Sequence, residues 1–307
     1  MNGISNFRHI APRPTYEHVV VPLDGSPVSR RALAAGRYLA DETGASLYLF
    51  HAQAHWERKD SGQRRDLEDL ARSFGAIAEV RTEAVADTHP ARLIEQFASE
   101  LGDTAIVMAS HGRSAIGERI AGSTTLELIR DFGRPVVVIG PSAAARSERV
   151  TRVVACLDGT HFSEEILDEA AGWARDLRVP LWLYEVVEPD IDRRGVFESN
   201  SLIYAARFLA GEGLDVEWDV LHGDHPGRTL VGAAQDQPGT MLVVATRCRS
   251  GAAAVFAPGV AHELIRHSPG PVIVKHPLPV RAGIAANASP ERRGEADRGA
   301  NGGVSRG

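Results

Sequence analysis

The chain alternates between short apolar runs and longer stretches in which apolar residues recur every three or four positions. Short apolar runs are typical of strands buried on both faces of a sheet, and the longer spacing is typical of amphipathic helices. In the first half of the chain the pattern predicts strand 17–23, helix 27–43, strand 46–52, helix 63–74, strand 76–85, helix 90–101, strand 104–108, helix 122–130 and strand 135–139. This alternation predicts an α/β fold with a mostly parallel sheet and helices on both of its faces.

Capping signals set the bounds of two of these helices. Ser26 is a suitable N-cap for the first helix, and Gly44 is a suitable stop. The helix that starts at residue 90 is preceded by Asp87-Thr88-His89-Pro90, which places proline near the first helical position and aspartate in the preceding turn.

The second half of the chain repeats the first. The matched segments are 153–160 with 19–26, 223–226 with 86–90, 244–247 with 108–111, and 263–274 with 127–138. Their offset hardly changes along the chain, which indicates a duplication of one βα domain. We therefore expect domains at 15–141 and 150–276, joined by a small-residue linker, and a disordered tail at 277–307 that is too poor in apolar residues to fold.

Composition narrows the class of protein. At 307 residues with 43% hydrophobic and 24% charged residues, the chain has the make-up of two globular domains. A net charge of −6 argues against a nucleic-acid partner, and the absence of any apolar run of roughly 20 residues argues against a membrane span. Residues 1–13 lack the apolar core of a signal peptide, and two cysteines suit a reducing compartment, so we expect a cytoplasmic protein.

The candidate chemistry lies where strand 104–108 ends. A small-residue loop containing Gly112 follows, and the next helix begins near Gly122, Ser123 and Thr124. Bare amides and hydroxyls at a helix N-terminus favour an anion such as a phosphate. Ser123 and Thr124 are equally suited to act as plain N-caps, so both interpretations stay open on the residues alone.

Three motifs together resemble the universal stress protein family. They are Asp24-Gly25-Ser26 after the first strand, Asp87-Thr88-His89-Pro90 before a helix, and Ala109-Ser110-His111-Gly112 followed, after nine residues, by Gly122-Ser123. The resemblance covers about residues 16–140 and 150–276. It implies two tandem adenine nucleotide α-hydrolase-like domains, each with a five-stranded parallel sheet of order 3-2-1-4-5. The ligand would lie over the carboxyl ends of strands 1 and 4, where the winding reverses.

The nucleotide signature separates the two copies. ATP-binding members of the family carry Gly-x2-Gly-x9-Gly-Ser/Thr, and the first copy matches three of the four positions, with Ala109 in place of the first glycine. In the second copy all four positions differ, and they read Ala245, Cys248, Pro258 and Gly259. Pro258 also removes a backbone N–H. The resemblance therefore implies nucleotide binding in the first copy and a degenerate site in the second.

The resemblance implies a site of twelve residues in the first copy. Asp24 would accept hydrogen bonds from an adenine amino group or from ribose hydroxyls, and Arg113 would pair with a phosphate. The base pocket would be lined by Pro22, Leu23 and Ala52, with Met108 and Ala109 beside the adenosine. The phosphates would be surrounded by Gly112, Arg113, Ser114, Gly122, Ser123 and Thr124.

Simpler roles compete with several of these assignments. Asp24 could have the simpler role of bracing the turn before the first helix, since Asp158 occupies the same position in the degenerate copy. His111 either faces a phosphate or is an ordinary loop residue. Cys156 and Cys248 either form a redox or metal pair or simply fill the lost second site. We expect no metal site, because the Asp-x-His-Pro segments lack further ligands at a fixed spacing.

The function implied is that of a non-catalytic, ATP-binding stress-response regulator, with or without Mg²⁺. A nucleotide-free interaction scaffold is the alternative. The residues offer no evident general base or activated nucleophile, and the P-loop and Rossmann fingerprints do not occur, so we expect no enzyme.

We expect the two domains to pair with each other through strands 135–139 and 271–275, which leave apolar edges. A homodimer also stays open.

Overall fold

The computed structural model describes residues 16–53, 61–82, 89–110, 123–132, 134–143, 149–187, 195–246 and 259–277. Strands and helices alternate along these residues. In chain order they are β1 (His18–Pro22), α1 (Arg31–Thr43), β2 (Ser46–Gln53), α2 (Ser61–Ser73), β3 (Ile77–Thr82), α3 (Pro90–Leu101), β4 (Thr104–Ala109), α4 (Ser123–Phe132), β5 (Val136–Ile139), β6 (Arg152–Leu157), α5 (His161–Glu164), α6 (Leu167–Leu177), β7 (Leu181–Val187), α7 (Gly195–Gly211), β8 (Val216–His222), α8 (Pro226–Gln235), β9 (Thr240–Ala245), α9 (Val260–His267) and β10 (Val272–Lys275). The α/β class predicted from the pattern is confirmed.

All ten strands form one sheet in the order β3-β2-β1-β4-β5-β10-β9-β6-β7-β8. Neighbouring strands are parallel within each half, and β5 and β10 pair antiparallel, with Ile273 opposite Val137. Each half thus shows the order 3-2-1-4-5 that the resemblance implies. Because the two central strands run in opposite directions, the carboxyl ends of the two sets of strands lie at opposite edges of the sheet.

The central strands are buried on both faces. All six residues of β4 are buried, and Val19, Val20 and Val21 of β1 are fully inaccessible to solvent. Such strands have no polar face, which explains why the sequence shows them as continuous apolar runs. The outermost strand β8 differs, since Trp218 in its middle is 43% exposed and lies between exposed acidic residues.

Helices cover both faces and create two cores. One core joins side chains of α1, α2, α6 and α7 to one face of the sheet, and the other joins α3, α4, α8 and α9 to the opposite face. Each core contains residues from both halves of the chain, and Trp173 is the largest fully buried side chain among the described residues. No helix among the described residues is long and apolar enough to cross a membrane.

The start of the first helix was predicted wrongly. Residues 27–30 form a turn, and α1 begins at Arg31 with no side-chain cap. The Ser29 amide donates to Ser26 Oγ at 3.1 Å, and the Ser29 hydroxyl donates back to the Ser26 carbonyl at 2.9 Å. These two bonds satisfy the serines in a turn before the helix, so Ser26 caps that turn instead of α1. The predicted stop is confirmed, because Gly44 ends α1 with a φ of 74°.

The two halves also touch outside the sheet. The Tyr16 hydroxyl donates to Glu169 Oε1 at 2.6 Å, and the Val150 amide donates to the Tyr38 hydroxyl at 2.9 Å. The Tyr16 ring packs against Trp173 with centroids 5.3 Å apart. The expected pairing of the halves through their last strands is therefore present, with further contacts on the side of α1 and α6. Residues 278–307, the greater part of the expected tail, lie outside the described residues.

Substituting Gly140 should weaken the contact between the halves. A Cβ on Gly140 would lie 1.9 Å from the Ile265 carbonyl oxygen, so either β5 or α9 would have to move. We expect Gly140→Ala to lower the free energy of unfolding by about 1–3 kcal/mol in urea denaturation. Gly232→Ala is the control, because a Cβ there meets no atom within 4 Å, and alanine should be neutral or stabilising in helix α8. Equal effects of the two variants would contradict the prediction.

Arg178 offers a stabilising substitution. It ends α6 with φ 56° and ψ 46°, the left-handed conformation that Gly44 adopts at the end of α1. For a residue with a Cβ this conformation costs about 1–2 kcal/mol, which exceeds the entropic cost of about 0.5–1 kcal/mol for introducing a glycine. We expect Arg178→Gly to raise the free energy of unfolding by about 0.5–1 kcal/mol, measured by urea denaturation. The converse change, Gly44→Ala, should be destabilising, and a loss of stability in Arg178→Gly would refute the argument.

Candidate functional site

The candidate site of the N-terminal half lies at the carboxyl ends of β1 and β4, which are hydrogen-bonded neighbours. Strand order reverses here, because β2 and β3 lie on one side of β1 and β5 lies beyond β4. In open α/β sheets such a switch point leaves a crevice in which ligands bind. Six of the predicted residues lie at the ends of β1, β2 and β4, and they are Pro22, Leu23, Asp24, Ala52, Met108 and Ala109.

Leu23 is fixed from both sides. Its amide donates to the Phe50 carbonyl at 2.8 Å, and its own carbonyl lies 2.7 Å from His51 Nδ1. A carbonyl only accepts, so Nδ1 carries the proton and Nε2 of a neutral ring is left as an acceptor. His51 therefore holds the end of β1 and with it the position of Asp24. His51 was not among the predicted site residues, although a histidine near the end of an apolar strand was a visible signal.

Asp24 forms a turn that both halves share. Its Oδ1 accepts the Ser26 amide at 2.9 Å, and Asp158 Oδ1 accepts the Thr160 amide at 3.0 Å. Gly25 and Gly159 have φ angles of 81° and 71°, which favour glycine at these positions. The turn-bracing role considered for Asp24 is thus present in the structure, and it is common to both copies.

Helix α4 begins where the sequence predicted, at Ser123, and Thr124 is half-buried. Thr125 is 1% exposed, and its hydroxyl lies 3.7 Å from Met108 Sδ on β4. This contact fixes the first turn of α4 against the end of β4. In the second half the matched positions are Val244 and Ala261, which are buried but cannot form it.

The connection from β4 to α4 lies partly outside the described residues. Gly112, Arg113, Ser114 and Gly122 belong to it, and so does His111. Their predicted roles around phosphates therefore stay predictions. In the second half Cys248 and Pro258 are outside the described residues as well, whereas Gly259 is the extended N-cap of α9 and makes no side-chain cap bond.

Cys156 is buried in the apolar core on the α8 and α9 side of the sheet. Loss of solvation raises the pKa of its thiol to about 12, because burial penalises the thiolate. A thiol of this kind is a poor nucleophile at neutral pH. Among the described residues, no group of three or more His, Cys, Asp or Glu side chains is arranged to hold a metal ion.

The family model of the "Universal stress protein family" matches the chain twice, over residues 15–140 and 149–276. A curated universal stress protein of Methanocaldococcus jannaschii is 27% identical over 142 residues, which cover 40% of this chain and 82% of that protein.

Two solved structures share the fold over most of the chain. A universal stress protein of Archaeoglobus fulgidus has a TM-score of 0.66 and 17% identity, and the match covers 86% of this chain and 99% of that one. A functionally unknown protein of Pseudomonas aeruginosa has a TM-score of 0.59 and 18% identity, and the match covers 85% of this chain and 93% of that one.

The burial of Cys156 predicts a thiol that reacts only on unfolding. In a Cys248→Ser variant, in which Cys156 is the single cysteine, we expect labelling by a disulfide reagent at pH 8 to be at least a hundredfold slower in the folded than in the urea-unfolded protein. With a pKa of about 12 the thiolate fraction at pH 8 is about 10⁻⁴ in the folded state. Rapid labelling of the folded variant would contradict the prediction, because it would show that the core around Cys156 opens to solvent without unfolding.

Proposed function

Because the chain belongs to the universal stress protein family, we propose that it is a non-catalytic stress-response regulator that binds ATP, with or without Mg²⁺, in its N-terminal half. One observation carries the proposal. Asp24 follows β1 and Ala109 ends β4 at a single switch point, and the sequence that leads from β4 to Ser123 at the start of α4 keeps three of the four positions of the nucleotide signature.

The residues that precede the two helices support the same choice. Helix α9 follows Pro258, which lacks an N–H, whereas the matched residue before α4 is Gly122, which has one. The acidic residue near the start of each helix does not distinguish the copies, because Glu127 and Glu263 occupy matched positions. The N-terminus of a helix attracts anions through its unpaired amides. An anion is therefore better accommodated at α4 than at α9.

The turn made by Asp24 is compatible with a second role. A carboxylate can accept several hydrogen bonds at once, so bracing the turn through the Ser26 amide does not by itself exclude a contact with nucleotide. Asp158 braces the same turn in the half whose signature is lost. The two residues thus share a structural task, and only Asp24 is proposed to contact nucleotide. This difference makes them a matched pair for experiment.

We propose no chemical step, because the described site presents no pair of groups that would activate water or a nucleophile. The protein would act in the cytoplasm by changing its conformation or its protein contacts when nucleotide binds. The negative net charge of −6 supports a partner other than nucleic acid.

The proposal is tested by thermal shift and calorimetry with ATP. Binding to the folded state stabilises it, by about 2.7 kcal/mol when ATP is at a hundred times its dissociation constant. We expect Asp24→Asn to weaken ATP binding at least tenfold, because the amide keeps the acceptor for the Ser26 amide but loses the charge. Gly122→Val should abolish binding, because a branched side chain would stand at the start of α4.

Asp158→Asn is the control, since it changes the equivalent turn in the C-terminal half and should leave ATP affinity unaltered. Equal effects of Asp24→Asn and Asp158→Asn on ATP affinity would mean that Asp24 only braces its turn and does not contact ATP. No stabilisation of the unmodified protein at millimolar ATP would overturn the proposal and favour a nucleotide-free interaction scaffold.

A further inference from the structure

A buried lysine lies at the end of β10. The side chain of Lys275 is 8% exposed, and its ammonium donates to the Glu165 carbonyl at 2.6 Å and to Asp168 Oδ1 at 2.8 Å. Lysine is rarely buried to this extent unless its charge is paired. The Asp168 side chain is 23% exposed, so the pair is largely removed from solvent.

The partners of Lys275 belong to a different part of the sheet. Glu165 and Asp168 lie at the junction of α5 and α6, which follow β6, and β9 lies between β6 and β10. The Lys275 ammonium therefore joins the end of β10 to the α5–α6 junction, across the carboxyl end of β9. This is the edge of the C-terminal half that corresponds to the candidate site of the N-terminal half.

A second contact joins the same elements. His276 Nδ1 lies 2.7 Å from the Thr246 carbonyl, which links the residue after β10 to the residue after β9. The His276 ring also packs beside Phe162 of α5, with centroids 6.5 Å apart. Together, Lys275 and His276 thus connect the end of β10 to the residue after β9 and to helices α5 and α6.

The N-terminal half has different residues at the matched positions. Lys275 is matched by Ile139, Asp168 by Ala34 and His276 by Gly140. None of these side chains carries a charge or a ring, so the ion pair and the histidine contact cannot form there. At the start of α1, Arg31 instead donates to the Pro141 carbonyl at 3.3 Å.

We infer that the Lys275–Asp168 pair is an internal strap that holds the carboxyl edge of the C-terminal half in one arrangement without a ligand. At the matched positions the N-terminal half has no ion pair, and the matched elements are joined by the exposed bond from Arg31 to the Pro141 carbonyl. Because its own side chains hold this edge of the C-terminal half together, the order of the edge does not depend on a bound anion. The strap therefore makes the order of this edge independent of a ligand.

The strap is tested by hydrogen exchange of the folded, full-length protein, followed by mass spectrometry of peptides that cover 158–168. The variants introduce the residues of the N-terminal half, as Lys275→Ile, Asp168→Ala and the two together. Each single change leaves one charge without its partner, so we expect exchange at the α5–α6 junction to become about tenfold to a hundredfold faster. The double variant replaces the pair with apolar side chains and should return to within about threefold of the unmodified protein.

Peptides that cover 24–34 in the N-terminal half are the control, and their exchange should not change in any variant. Unchanged exchange in both single variants, or a double variant that exchanges as fast as the faster single variant, would overturn the strap. If both single variants fail to fold, a folded double variant still supports it. A double variant that also fails to fold refutes it, because the apolar pair would then not replace the ion pair.

Discussion

The antiparallel pairing of β5 and β10 is the interaction on which the rest of the structure depends. Each half alone would leave a short apolar strand at the edge of its sheet, with unpaired backbone groups. Pairing Val136–Ile139 with Val272–Lys275 gives the backbone groups of both strands hydrogen-bond partners and makes one ten-stranded sheet. Both cores then run continuously across the two halves, and the contacts of Tyr16 and Tyr38 follow from this pairing. Gly140 has no side chain because the chain passes the Ile265 carbonyl at this point.

Within this shared frame the two copies have diverged at the carboxyl ends of their strands. The N-terminal copy has the uncharged residues Ile139 and Ala34 at the positions of the Lys275–Asp168 pair. In the C-terminal copy this ion pair holds the edge. In both copies the aspartate after the first strand accepts the amide two residues on, at Asp24 and at Asp158, and the Thr160 hydroxyl also donates to Asp158 Oδ1. Divergence is thus found in side chains that surround the switch point, while the turns that shape it are retained.

Much of the fold could be predicted from the sequence because it depends on local patterns. Apolar runs such as Thr104–Ala109 are strands buried on both faces, and Gly44 ends α1 because a left-handed residue is needed there. The start of α1 could not be predicted, since Ser26 and Ser29 satisfy each other in a turn that competes with the helix. The roles of His51 and Lys275 escaped because their partners, Leu23 and Asp168, are distant in the chain. The roles of Gly112, Arg113, Ser114 and Gly122 stay predictions, because they lie outside the described residues.

The opposite directions of the two sets of strands have a consequence for recognition. The edge that carries Asp24 and the edge that carries Lys275 point away from each other, so a protein that docks over one is on the far side of the molecule from the other. Two proteins that docked over these two edges would therefore not compete for the same surface. The duplication thereby gives a single chain two separate faces at opposite ends of its strands.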